Sequence, residues 1–299
     1  MQRLHPICRH GRLVWCFLAV VHAAAFFVSS SWVFAQEEEK PKAESSQEAL
    51  AVFSDAANFQ NNGAYELAVS EWETFVKTYP KDPLAPKANH YLGVCRMQLK
   101  DYNGAATAFA ATTKFPKFSL TEEAYLNLGW CQFKLAEGGK QELFAQSIAT
   151  LDAQLKMFPV GKGKLADQAL FYQAEANYLQ GQKKQAVEAY SQLVKQFKQS
   201  ALRSDAIYAL GVTQQELGDY PAAAATYDLF LAESPDSKLK TEVAMRKAET
   251  VLQTGLAAEK AGDAEAAKAS FTNAEAAFAD VVAVENFSLA DHATYRQAL

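Results

Sequence analysis

Cysteine is scarce in this chain: four in 299 residues, and two of them, Cys8 and Cys16, lie close to the start. Too few remain for a disulfide framework, and no CxxC pair offers a zinc or redox site. Histidine is equally thin. His5, His10 and His22 fall in the N-terminal stretch, leaving His90 and His292 far apart and without ligand spacing. That excludes a metal centre of the usual kind. No GxSxG, HExxH or paired GxGxxG occurs, so the common hydrolase, metalloprotease and dinucleotide signatures are missing. Glu122-Glu123 is an adjacent carboxylate pair, but neighbours on a helix point to different sides, and the pair reads as a helix start favoured by the dipole. The expectation is a protein that is not an enzyme, holds no cofactor and takes no small-molecule substrate. Positive charge is also in deficit, with 29 Lys and Arg against 34 Asp and Glu. Nucleic acid, which demands a basic footprint, is excluded as a partner.

One long apolar run is present, Leu13 to Val28, preceded by Arg3, Arg9 and Arg12 and followed by Ser29-Ser30-Ser31 and Val33-Phe34-Ala35. A basic start, an apolar middle and a small-x-small end describe a secretory signal over 1–35, cleaved after Ala35. The alternative is an uncleaved anchor, since Leu13 to Ala35 is long enough to span a bilayer. His22 and the serine run speak for cleavage, and the chain meets a membrane only if the N-terminal helix is kept. Leu13-Val14-Trp15 before Cys16 lacks the small residue that lipid attachment requires. Without 1–35 the chain has 26 basic and 34 acidic residues, a net charge of −8. Residues 36–47, QEEEKPKAESSQ, read as a charged linker, or in their last residues as a capping turn beginning at Ser45-Ser46.

What the rest of the chain has is repetition. Small anchors stand at Ala56, Gly93, Gly129, Ala174, Gly211 and Ala248, spaced 37, 36, 45, 37 and 37 residues apart. Twelve residues after four of them comes a second small residue: Ala68, Ala105, Ala186, Ala223. Four further on comes a ring: Trp72, Phe109, Tyr190, Tyr227. Pro80, Pro116, Pro159 and Pro235 close the units. Self-similarity at such a period signals a solenoid of helix pairs. Small residues let the two helices of a pair approach, and the ring fills the gap toward the next pair. Between the helices, Gly218 suits a left-handed helix end, Asp219 a cap and Pro221 a first turn. In unit three Ile148, Leu151 and Leu155 replace the ring, and Glu137-Gly138-Gly139-Lys140 makes a longer turn. Gly161-Lys162-Gly163-Lys164 is a loop, since it lacks the P-loop spacing and its Ser or Thr. Cys95 and Cys131 occupy equivalent positions in adjacent units. Helices pack 8–10 Å apart and a disulfide needs roughly 7 Å or less, so both are expected as buried free thiols.

This pattern, most specifically GDYPAAAATYDLFLAESP at 218–235, resembles the tetratricopeptide repeat family. The resemblance covers most of 48–285 in about six units, slightly longer than the family's ~34 residues. Long units closed by Tyr-Pro or Phe-Pro are similar to those of bacterial envelope members: the cell-division coordinator of the Tol-Pal system and the lipoprotein of the outer-membrane barrel-assembly machine. The resemblance implies an all-α, right-handed superhelical solenoid of antiparallel helix pairs over 48–299. It implies a periplasmic scaffold or adaptor that binds protein or peptide segments.

In the family, first-helix side chains about −6, −3, +1 and +4 from each anchor line a concave groove. Carried over, they give Phe53 in unit one, His90 and Met97 in unit two, and Leu126, Trp130 and Phe133 in unit three. Phe171 and Tyr178 follow in unit four and Tyr208 in unit five. The alternative for all nine is ordinary packing between helices. Residues 289–298 echo 165–174, so the chain is expected to stop in the first helix of a seventh unit, as a cap or as part of a longer array. That leaves a second reading, the repeat region of a larger envelope protein or enzyme, and a third, a membrane-anchored adaptor.

Overall fold

Where the sequence repeats a small residue, two helices meet. The computed structural model describes residues 44–283 together with 293, 294 and 296. The signal, most of the charged linker and nearly all of the seventh-unit helix lie outside the described residues. Among the described residues twelve α-helices follow one another with no strand. They are α1 (Gln47–Asn61), α2 (Tyr65–Thr78), α3 (Ala85–Gln98), α4 (Tyr102–Thr112), α5 (Thr121–Glu137) and α6 (Leu143–Met157). Then come α7 (Ala166–Leu179), α8 (Lys183–Gln196), α9 (Arg203–Glu216), α10 (Tyr220–Glu233), α11 (Lys240–Lys260) and α12 (Ala264–Val282). Each helix packs on the one before and the one after, as a solenoid requires. The fold is the all-α solenoid of helix pairs that the spacing predicts.

Every turn between paired helices holds one residue at positive φ, and three of the six add an aspartate cap. Gly218 sits at φ 79° and its N–H donates to the Gln215 carbonyl, while the Asp219 N–H reaches back to Gln214. This closes α9 with a left-handed residue that only glycine adopts cheaply. The Asp219 carboxylate then accepts from the Ala222 N–H and starts α10. Asp101 and Asp263 cap α4 and α12 in the same way. In unit two Lys100 holds the left-handed position, at φ 62°. At the other end of the described array, Ser46 accepts from Ala49 and caps α1, so the linker's last residue, Gln47, is already helical.

The anchors fit the steric logic with one change. A Cβ on Gly211 would lie 2.6 Å from the Tyr227 ring, and one on Gly93 would lie 2.8 Å from Phe109. The ring therefore seals its own pair against its own anchor, as well as facing the next unit. Trp72 does both: it meets Phe53 of its own first helix at 4.7 Å and Tyr91 of the next at 5.7 Å. In unit three Leu151 lies over Gly129, as the missing ring requires. Unit six has a second register. Ala248 is buried in one cluster with Ala274 and Phe278, and a further close approach is made by Gly255 and Phe271, which are again 16 residues apart. The extra turns of α11 and α12 carry this contact outward to an exposed tip at Gly262.

The rings also carry a polar tie. Trp72 Nε1 donates to Gln60 at 3.0 Å, and the Tyr227 hydroxyl donates to Gln215 at 2.8 Å. Buried Tyr190 donates to buried Glu175. A buried hydroxyl or indole N–H without a partner is costly, so each of these three rings has one on the first helix of its pair. Cys95 and Cys131 are free and buried, and burial pushes both thiols up to about 12.

Candidate protein-binding face

Side chains of successive first helices meet directly, which makes their shared side the inner wall of the array. The contacts recur at fixed offsets. His90 Nε2 lies 3.5 Å from Glu123 Oε1. The Tyr208 hydroxyl donates to Glu242 at 2.7 Å. The Lys87 ammonium lies 5.7 Å from the Phe53 ring centre. In each case the residue three before one anchor meets the residue six before the next. On the far edge of the wall, the Tyr178 hydroxyl donates to Glu216 at 2.9 Å, and Lys183 pairs with the same carboxylate.

This ladder divides the nine residues that the sequence places in a groove. His90, Leu126, Phe133 and Phe171 are buried between helices and present no surface; for these four, the packing alternative holds. His90 is ringed by Tyr91, Phe109 and Phe118, and Phe133 packs on Phe144 and Tyr172. The offset of three before the anchor is taken up by the next first helix, which is why it fails as a groove position in the middle units. Phe53, Met97, Trp130, Tyr178 and Tyr208 are half-buried and keep a face to solvent. Trp130 stands edge-on to Tyr102 at 5.4 Å, and Met97 packs in the same cluster.

Arg246 on α11 was not foreseen from the offsets. Its guanidinium lies 5.7 Å from the Tyr208 ring centre and bonds Glu242 at 3.1 Å. Its positive charge acts on the Tyr178, Tyr208 and Tyr227 hydroxyls, opposing the upward push of burial. Burial pushes Tyr208 up to about 12 and raises Tyr178 further, so both stay protonated donors. The signal for Arg246 was a base two residues before an anchor, beside Lys247 and outside the four offsets.

Glu123 gives the wall a pH dependence. The His90 imidazole beside it holds its carboxyl below the ordinary value of 4.5, with burial opposing. A depressed carboxyl contributes stability that is present above its unfolded pKa and lost as pH falls through its folded one. Glu123→Gln is therefore expected to melt below the wild type at pH 7, with the gap shrinking as pH drops below about 4.5. Melting curves from pH 7 to 3 check this, and a constant gap would count against it.

No group of three or more His, Cys, Asp or Glu among the described residues is arranged to hold a metal ion. Among the same residues no helix is long and apolar enough to cross a membrane.

Comparison with known proteins agrees with this geometry. Tetratricopeptide repeat models match residues 56–118, 168–200 and 205–237. No curated protein matches the sequence. Among solved structures, a tetratricopeptide repeat protein from Parabacteroides merdae has a TM-score of 0.53 at 12% identity, over 85% of this chain and 100% of its own. MamA 41-end from Desulfovibrio magneticus RS-1 has a TM-score of 0.51 at 18% identity, over 64% of this chain and 99% of its own. YrrB, described as having an unusual peptide-binding site, has a TM-score of 0.51 at 16% identity, over 65% and 90%. Identities this low speak for the fold alone.

Proposed function

Since the chain carries tetratricopeptide repeats, a fold that serves protein–protein interaction, we propose that it is an exported, non-enzymatic scaffold of a bacterial cell envelope. It binds protein segments on the inner wall of its array. The observation that carries the binding reading is the row of half-buried side chains Met97, Trp130, Tyr178 and Tyr208, left facing solvent on successive first helices. Large rings that are anchored at one edge and open at the other are where interface energy concentrates. Extended or helical segments with apolar anchors fit such a wall. YrrB, which shares the fold, is described as having a peptide-binding site, and this supports the reading without fixing the site's position.

Export rests on the order of Arg3, Arg9 and Arg12, the apolar run and Val33-Phe34-Ala35. Expressed in a Gram-negative host, the protein is expected in the periplasmic fraction with an intact mass that starts at Gln36. A full-length mass in the membrane fraction would favour an anchored adaptor instead.

For binding, a phage-displayed library of random twelve-residue peptides is panned on the full chain. Retained peptides are expected to lose about 2 kcal/mol or more of affinity on Trp130→Ala or Tyr178→Ala, read by calorimetry. Undiminished binding by both variants would place recognition elsewhere.

A further inference from the structure

The rungs that join successive first helices leave one carboxylate out. Where the residue six before an anchor is charged, it has a cross-unit partner three before the previous anchor. Lys87 has the Phe53 ring, Glu123 has His90, and Glu242 has Tyr208. Asp205 stands at the same offset on α9. Its counterpart on α7 is Phe171, a buried ring with no polar atom, packed on Tyr172 and Tyr190. No hydrogen bond or ion pair reaches the Asp205 carboxylate among the described residues, although it is half-buried. Its carboxyl is raised above the ordinary range, and burial is the cause. A half-desolvated carboxylate without a partner costs stability. Its position at the start of α9 offsets part of that cost through the helix dipole.

The surroundings share the sign of its charge. The first helices of units four and five carry Asp167, Glu175, Asp205 and Glu216 against one base, Arg203. Arg203 is committed to Glu233, and Lys183, which reaches the wall from α8, is committed to Glu216. Arg246 is likewise held by Glu242 and the Tyr208 ring. That last arrangement shows what this wall does with a cation: it seats a guanidinium over a tyrosine face beside a carboxylate. Units two and three offer a different surface, with Met97, Val94 and Trp130 packed as an apolar cluster.

We propose that the bound segment carries a lysine or arginine that pairs with Asp205, next to apolar residues that lie against Trp130 and Met97. The proposal rests on the inner wall being the binding face, as set out above. A peptide with acidic residues at that place would meet an unpaired like charge and be rejected, so Asp205 sets specificity as well as affinity.

The test pans the same random twelve-residue library on the full chain and on Asp205→Asn, and counts residue types in the retained clones. The wild type is expected to enrich Lys and Arg several-fold over the input, and Asp205→Asn to lose that enrichment. Individual basic peptides are expected to bind the variant about tenfold more weakly, and their lysine-to-glutamine versions to bind both proteins alike. Asp205→Asn is expected to melt at or above the wild type at pH 7, because it removes an unpaired charge. Peptides that depend on Trp130 but show no basic enrichment, or enrichment that survives Asp205→Asn, would overturn this proposal and leave the binding wall standing. If no retained peptide depends on Trp130 or Tyr178, the wall itself is wrong and this proposal falls with it.

Discussion

Arg203→Ala is expected to lower the unfolding free energy by about 3 kcal/mol, the lower end of what breaking a buried ion pair costs. Arg203 is only 6% exposed although it is the first residue of α9. Its guanidinium reaches the Glu233 carboxylate with two nitrogens, at 2.6 and 2.7 Å, and its third nitrogen donates to the Val194 carbonyl. Val194 is in the last turn of α8, and Glu233 is the last residue of α10. One cation thus ties the C-terminal ends of two second helices, where the dipole favours positive charge. Glu233 keeps some solvent, which is why the lower end of the range applies. Its carboxyl is held below the ordinary value of 4.5 by Arg203, so the pair's contribution is present above that pH and is lost as pH falls further. The double change Arg203→Met with Glu233→Met is expected to recover most of the loss, because no charge is then left alone. Chemical denaturation of the three proteins checks this. If the single change were neutral, the tie would be ornamental.

Tyr227→Ala is expected to cost about 3–5 kcal/mol, as removal of a large buried ring does. The ring is fully buried, lies over Gly211 and ties its hydroxyl to Gln215. Removing it opens a cavity between α9 and α10 and leaves the Gln215 side chain without that donor. The converse change fills the space twice: Gly211→Leu places a side chain where the ring already is, and overpacking of this kind costs about 1–3 kcal/mol. Trp130→Ala is the contrast. Trp130 keeps a solvent face, so its removal is expected to cost clearly less than Tyr227→Ala. Equal losses for the two rings would make Trp130 core and remove it from the binding wall.

Much of this fold was legible because its determinants are local and repeat. A small residue followed sixteen later by a ring marks two helices that touch, and a left-handed turn, followed by an aspartate in units two, five and six, marks the reversal. Ala248 shows the limit. It continues the spacing and is buried, but Gly255 and Phe271 add a close contact that the spacing does not give, because helices lengthened by whole turns admit a second register. The wall was legible only in part. Offsets identify which side of a helix faces inward, but they do not say how far the next helix covers it. His90, Leu126, Phe133 and Phe171 are covered, whereas Tyr208 keeps an open face and gains Glu242. Arg203 reaches a partner 30 residues away and Arg246 meets the Tyr208 ring of the neighbouring unit, and no spacing rule on one helix finds these contacts, although it does find the Arg246–Glu242 pair.

The central claim is that segments bind along the inner wall made by the first helices. Hydrogen–deuterium exchange of the full chain, with and without a peptide retained from the library, measures it directly. Bound peptide is predicted to slow exchange in α5, α7 and α9 around Trp130, Tyr178 and Tyr208, and to leave α4, α8 and α10 unchanged. Protection confined to those second helices, or to the tip around Gly262, would contradict it.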